Sequence, residues 1–359
     1  MIRSNASVAA VLLLFSTVVA PVCGNSCEGD DSAGQSLLNE ISGAEMMSTV
    51  VDLRSFGTRE FHTESAQESA AYIHGEMDAL GLQTHMQEFY IDGTPVLNVV
   101  AVLNPGVESD KVFLIGAHYD SENSEVTNLS EAENITAPGA DDNGSGVGVM
   151  LELARVLSQA TDFPATVKFV AFGAEEMGYD NSGGAKGSAY FASREVEAGV
   201  SYEGVFVLDM VGYRATTENR ATLVCNGASA LLAQSMTEAT TEYGVDISLL
   251  TVLDETSVYS DHASFWDAGY PCILVVEELY PTIGRPVNPY YHTSEDTAEK
   301  LSDELMTEVA KSTLATIIHL TDQGEDSYSP VYYGVAAATL AAVVTVAAFL
   351  LMRKRKGEV

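Results

Sequence analysis

Three apolar runs constrain the fold more than any other feature: Lys111–Ala117 (KVFLIGA), Thr166–Phe172 (TVKFVAF) and Gly204–Met210 (GVFVLDM). Each is short and nearly free of polar residues between its ends, which suits a strand covered on both faces. Residues 84–90, 97–103 and 273–277 read as further strands. Between the strands the apolar spacing becomes helical, over Leu37–Leu53, Glu64–Leu82, Gly146–Ala160, 228–243 and 297–320, with another helix starting at Lys186. In Glu64–Leu82 the apolar positions are Ala70, Ala71, Ile73, Met77 and Leu80, and Gly81 ends the run. Such alternation predicts an α/β fold, a three-layer sandwich with a mostly parallel central sheet. Residues 37–325 read as one domain without internal repeats.

The two ends stand apart from that domain. Residues 1–24 carry one early charge, Arg3, then an apolar run and small residues, the pattern of a secretory signal peptide. Residues 25–36 are rich in Gly, Ser and Asp and read as a linker. Val331 to Met352 contains no charge and is followed by Arg353, Lys354, Arg355 and Lys356. This predicts one transmembrane helix over 331–352 and a basic cytoplasmic tail over 353–359. The expected placement is a single-pass protein of the cell membrane, its domain extracellular and its partner the lipid bilayer.

The formal charge is −34. It excludes nucleic acid as a natural partner, because phosphates would be repelled, and it suits a solvated surface in high salt. Cys225 and Cys272 lie in apolar, strand-like runs and read equally as a disulfide or as two buried thiols. No CxxC pair exists, which argues against a cysteine zinc site. The polar stretch 121–137 reads as an exposed loop and contains two glycosylation sequons, at Asn128 and Asn134.

The chemistry sits where the strands end. KVFLIGA runs into His118-Tyr119-Asp120, KFVAFGA into Glu175-Glu176, and VFVL into Asp209. In a parallel sheet these ends line one crevice, where ligands bind. The loop Pro138-Gly139-Ala140-Asp141-Asp142-Asn143-Gly144-Ser145-Gly146 brings further acids, and Tyr290-Tyr291-His292-Thr293 a second histidine. A lone histidine after a strand is more often structural than a ligand, and an acid before a helix is commonly an N-cap. Joint delivery of these residues to one sheet edge is instead a metal-site pattern. The glycine-rich loop does not suit phosphate, since no Lys follows its glycines and two acids stand among them.

Taken in order, GAHYDS, PGADDNGSGV, AFGAEEMG, GSAYFA, VLDMVGY, SDHASFW and YYHTSEDT resemble the M28 family of zinc peptidases over roughly residues 38–320. The resemblance implies two Zn2+ ions per chain, one held by His118 and Asp209, the other by Glu176 and His292, with Asp141 bridging both. It also implies a cis peptide after the bridging acid, at Asp141–Asp142. The expected function is hydrolysis of N-terminal residues from peptide substrates by a metallo-aminopeptidase. Glu175 is its general base, and Tyr291 a donor to the developing oxyanion. Asp120 is expected to orient His118, with Asp261 and His262 in supporting positions. The stretch 121–137 is longer than in compact members of the family. Carboxypeptidases and glutaminyl cyclases share much of this motif set. A carboxypeptidase needs a cation for the substrate carboxylate, with Arg214 and Arg285 as candidates. The cyclases usually carry Trp where Tyr291 stands. A non-catalytic, receptor-like ectodomain is the alternative of another class.

Overall fold

The computed structural model describes residues 31–132, 134–279 and 286–322. The expected signal peptide, the membrane segment 331–352, the basic tail and Arg285 lie outside them. Among the described residues no helix is long and apolar enough to cross a membrane.

The described residues begin with three helices, α1 (Asp31–Asn39), α2 (Gly43–Ser55) and α3 (Glu64–Ala79). The single helix expected over Leu37–Leu53 is broken at Ser42, whose backbone is extended and whose hydroxyl caps the amide of Glu45. Three strands follow, β1 (Gln83–Ile91), β2 (Thr94–Leu103) and β3 (Val112–His118). After the short α4 (Leu129–Ala132) come α5 (Gly146–Ser158), β4 (Thr166–Phe172), α6 (Lys186–Ala198), β5 (Gly204–Leu208) and β6 (Arg220–Cys225). The remainder is α7 (Ala230–Glu242), β7 (Ser248–Leu253), α8 (His262–Asp267), β8 (Cys272–Glu277) and α9 (Asp303–Asp322).

The eight strands form one sheet in the order β1-β2-β4-β3-β5-β8-β6-β7. The four central strands, β4-β3-β5-β8, are parallel. The flanks make the sheet mixed, because β1–β2, β2–β4 and β6–β8 pair antiparallel. The turn residues explain the first flank. Asp92 and Gly93 both take positive φ, 48° and 92°, and a two-residue turn of that kind closes a hairpin.

Side-chain alternation sorts the core into two layers. Phe113, Ile115, Phe169, Phe206 and Ile273 face a cluster shared with α2, α3, α5, α7 and α9. Leu114, Val170, Val205, Val207 and Leu274 face the opposite cluster, beneath α6 and α8. The same alternation answers the cysteine question. Cys225 packs into the first layer and Cys272 into the second, and both are free thiols.

Candidate metal centre

Because β4, β3 and β5 are adjacent and parallel, their C-terminal ends meet at one edge. His118 ends β3, with its ring 1% exposed. Glu175 and Glu176 follow β4 across a sharp turn in which Ala174 takes φ 58°. Asp209 follows β5. Asp120 fixes the Glu-Glu turn, because its two carboxylate oxygens accept the amide protons of Glu175 and Glu176, at 3.2 and 3.1 Å. Its Oδ1 also lies 3.5 Å from His118 Nδ1.

The second histidine arrives on the late loop. Nε2 of His292 stands 3.0 Å from Glu176 Oε2 and 3.1 Å from Asp142 Oδ2. Nε2 of His118 stands 3.2 Å from Asp142 Oδ1, 3.4 Å from Asp209 Oδ1 and 3.9 Å from Glu175 Oε2. Asp142 therefore lies between the two imidazoles, one oxygen toward each.

This corrects the expectation for Asp141, which faces away from both histidines. Its Oδ1 accepts from the amide of Gly212 (2.8 Å) and its Oδ2 from Asn288 Nδ2 (2.7 Å). The cis peptide also falls one residue later than expected, at Asp142–Asn143. The remaining expected residues converge. His118, Asp142 and Asp209 place ligand atoms within 4.8 Å of one another, as do Glu122, Glu176 and His292, and as do His118, Glu175 and Glu176. Tyr291 stacks on the ring of His292, with centroids 3.8 Å apart, and is 41% exposed. Asp261 and His262 are fully buried beside the centre and belong to none of these groups. Ser260 reaches the centre through its hydroxyl, which donates to Asp209 Oδ2 at 2.7 Å.

Three supporting residues had no clear sequence signal. Asn143 fastens the acidic loop to the end of β5, donating to the carbonyl of Leu208 and accepting from the amides of Gly146 and Met210. Asp296 accepts from the amides of Asp141 and Asp142. Arg59 is fully buried and donates to the carbonyls of Tyr119, Pro138 and Gly139. Burial lowers its guanidinium to about 10, against the pull of Asp296, Asp120 and Asp142. Arg59→Met strips three buried carbonyls of a charged donor and is expected to cost about 3 kcal/mol. Denaturant unfolding measures this, and a cost below about 1 kcal/mol would contradict the assignment.

The electrostatics suit a cation. Burial pushes Glu176 up to about 8, with Asp142 adding to the effect. Burial also raises Glu175 well above the carboxylate range. Burial opposes charge on His292, but Glu176 and Asp142 overcome it and drive the ring up to about 12. Burying these carboxylates together disfavours their ionised forms, and a divalent ion among them would favour those forms. Glu176 Oε1, buried in the centre, has no hydrogen-bond partner. Imidazole and carboxylate are the donor types that zinc takes, and the residues present therefore fit it.

Fold and site together define a metallohydrolase-type α/β domain, with histidines and acids gathered at the carboxyl ends of parallel strands. The peptidase family M28 profile matches residues 98–317, and the chain belongs to that family. A leucine aminopeptidase of Pyrenophora tritici-repentis is 30% identical over 300 residues, covering 79% of this chain and 72% of the relative. An aminopeptidase of Legionella pneumophila shares the fold at a TM-score of 0.69 and 21% identity, over 86% of this chain and 79% of that one. A glutaminyl cyclase of Tannerella forsythia superposes at a TM-score of 0.64 and 26% identity, over 79% and 99% of the two chains.

Proposed function

We propose that the chain is a zinc-dependent aminopeptidase with two ions, one held by His118 and Asp209, the other by Glu176 and His292, and both by Asp142. The observation that carries this reading is the position of Asp142, with one oxygen 3.2 Å from His118 Nε2 and the other 3.1 Å from His292 Nε2. When bound, the ions supply Lewis-acid polarisation of a water and of the scissile carbonyl. The chain's own residues do the rest. Glu175, held by Asp120 beside His118, takes the proton of the attacking water and returns it to the leaving amine. Tyr291, stacked on His292 at the open side, offers its hydroxyl to the developing oxyanion. The surplus of acids holds the α-ammonium of the substrate.

Met177, Tyr259 and Tyr291, each within a few positions of a site residue, expose apolar surface, at 46%, 50% and 41%. We take an apolar N-terminal side chain as the preferred substrate class, with Tyr291, stacked on His292, its most direct support. The cyclase reading is less favoured, because Tyr291 stands where the cyclases usually carry Trp. For the carboxypeptidase reading, Arg214 is already engaged by Glu304 and Asn219. A matched panel of peptides tests the proposal. Leucyl peptides are expected to be cleaved, aspartyl peptides poorly, and N-acetylated peptides not at all. Chelation should abolish cleavage and zinc should restore it. Cleavage that survives chelation, or that tolerates the N-acetyl group, would reject the reading.

The membrane placement belongs to the same proposal and rests on residues 1–24 and 331–356 of the sequence. Full-length chain is expected in the membrane fraction, with its domain open to externally added protease.

A further inference from the structure

The stretch 121–137 leaves β3 directly beyond Asp120, and its first residues are fixed rather than loose. Ser121 and Asn123 are buried, at 0% and 3% exposure. Ser121 Oγ donates to the carbonyl of Ala137, and Asn123 Nδ2 to that of Thr136, so the loop is closed at its base. Between these two anchors stands Glu122, which the proposed chemistry leaves unused.

Glu122 touches both loops that supply the Glu176–His292 half of the centre. Its Oε2 accepts the amide proton of Gly178, two residues past Glu176, at 3.0 Å. Its Oε1 lies 3.8 Å from Nδ1 of His292, the ring nitrogen remote from Asp142 and Glu176. That distance exceeds a direct hydrogen bond, yet among the described residues no other carboxylate lies within 4.0 Å of that nitrogen. Ser124 reinforces the connection, since its amide and hydroxyl both donate to the carbonyl of His292, at 3.2 and 3.3 Å. His292 needs such restraint because its φ is +56°, a region costly for a residue with a side chain.

The arrangement repeats that of Asp120, two residues earlier. Asp120 accepts from the amides of the Glu-Glu turn and approaches Nδ1 of His118 at 3.5 Å. A histidine that ligates a metal through one nitrogen commonly presents the other to a carboxylate, which sets its tautomer and orientation. We infer that Glu122 is the positioning residue of the Glu176–His292 metal site, gripping both ligand loops with one carboxylate as Asp120 does for the His118 side.

This inference rests on the two-zinc reading, and the experiment keeps the two apart. Glu122→Gln is the primary variant, because its amide oxygen still accepts from Gly178 while the carboxylate facing His292 is lost. Zinc binding is titrated against a competing chromophoric chelator, and the metal-free melting temperature is recorded alongside. Wild type should bind two ions. In Glu122→Gln one ion should bind about 10- to 100-fold more weakly, the other as in wild type, with metal-free melting unchanged. Saturating zinc should recover most of kcat. Equal affinity for both ions, or a loss shared by both together with a lowered metal-free melting point, would overturn the inference. If Glu122→Gln does not fold, Glu122→Asp decides, since it keeps the charge but is too short to grip both loops. Fewer than two ions in the wild type would instead overturn the two-zinc reading itself.

Discussion

Glu175→Gln is expected to keep both zinc ions and lose about 10²- to 10⁴-fold in kcat, the span that general acid–base catalysis contributes. The substitution is nearly isosteric and leaves the backbone amide that Asp120 holds. What disappears is the capacity to accept a proton. Glu175 is well placed for that task, with Oε2 3.9 Å from His118 Nε2 and its side chain 9% exposed. Burial pushes its pKa up, and adjacent divalent charge would favour the ionised form that a base requires. Steady-state kinetics together with zinc analysis read the outcome. Near-normal turnover would remove Glu175 from the mechanism, and loss of zinc would make it a ligand instead.

The adjacent acids Asp141 and Asp142 should give opposite phenotypes. Asp142→Asn replaces the one carboxylate among the described residues that lies within 4.0 Å of both histidines, so zinc should fall below two per chain and activity to background. The loss should exceed the roughly 10- to 100-fold that removal of an outer partner costs. Asp141→Asn should keep both ions and lose stability, by about 1–3 kcal/mol. An amide nitrogen at Asp141 Oδ2 would face Nδ2 of Asn288, donor against donor. Asn288 cannot turn over freely to relieve this, because its Oδ1 already accepts the amide proton of Tyr290. Zinc content and thermal melting separate the two variants. The reverse pattern, with Asp141→Asn losing metal, would restore Asp141 as the bridge.

That pair also marks where sequence reasoning stops. His118, Glu175, Glu176 and Asp209 were legible because strand periodicity fixes which residue leaves a strand end and at which edge of the sheet. Asp141 and Asp142 stand in a loop, where no period distinguishes neighbours, and distant partners of Asp141, the amide of Gly212 and the side chains of Asn288 and Glu277, decide which acid turns toward the histidines. Asn143, Asp296 and Arg59 escaped notice for a related reason. Most of their partners are backbone groups 60 to 155 positions away, which no local pattern announces. The central strands were clear from their apolar runs, whereas β7 was not. Its burial pattern is exposed or intermediate throughout, so SLLTVL has neither a clean alternation nor a covered face. The parallel centre followed from the helix–strand rhythm, while the antiparallel flanks depended on the Asp92–Gly93 turn and on the pairing of β6 with β8.

Diffraction from crystals of the zinc-loaded protein, collected on both sides of the zinc absorption edge, puts the assignment of the ions to the most direct test. Two anomalous peaks should appear, one by His118 and Asp209, the other by Glu176 and His292, with the carboxylate of Asp142 between them. A single peak, or a pair astride Asp141, would contradict the account.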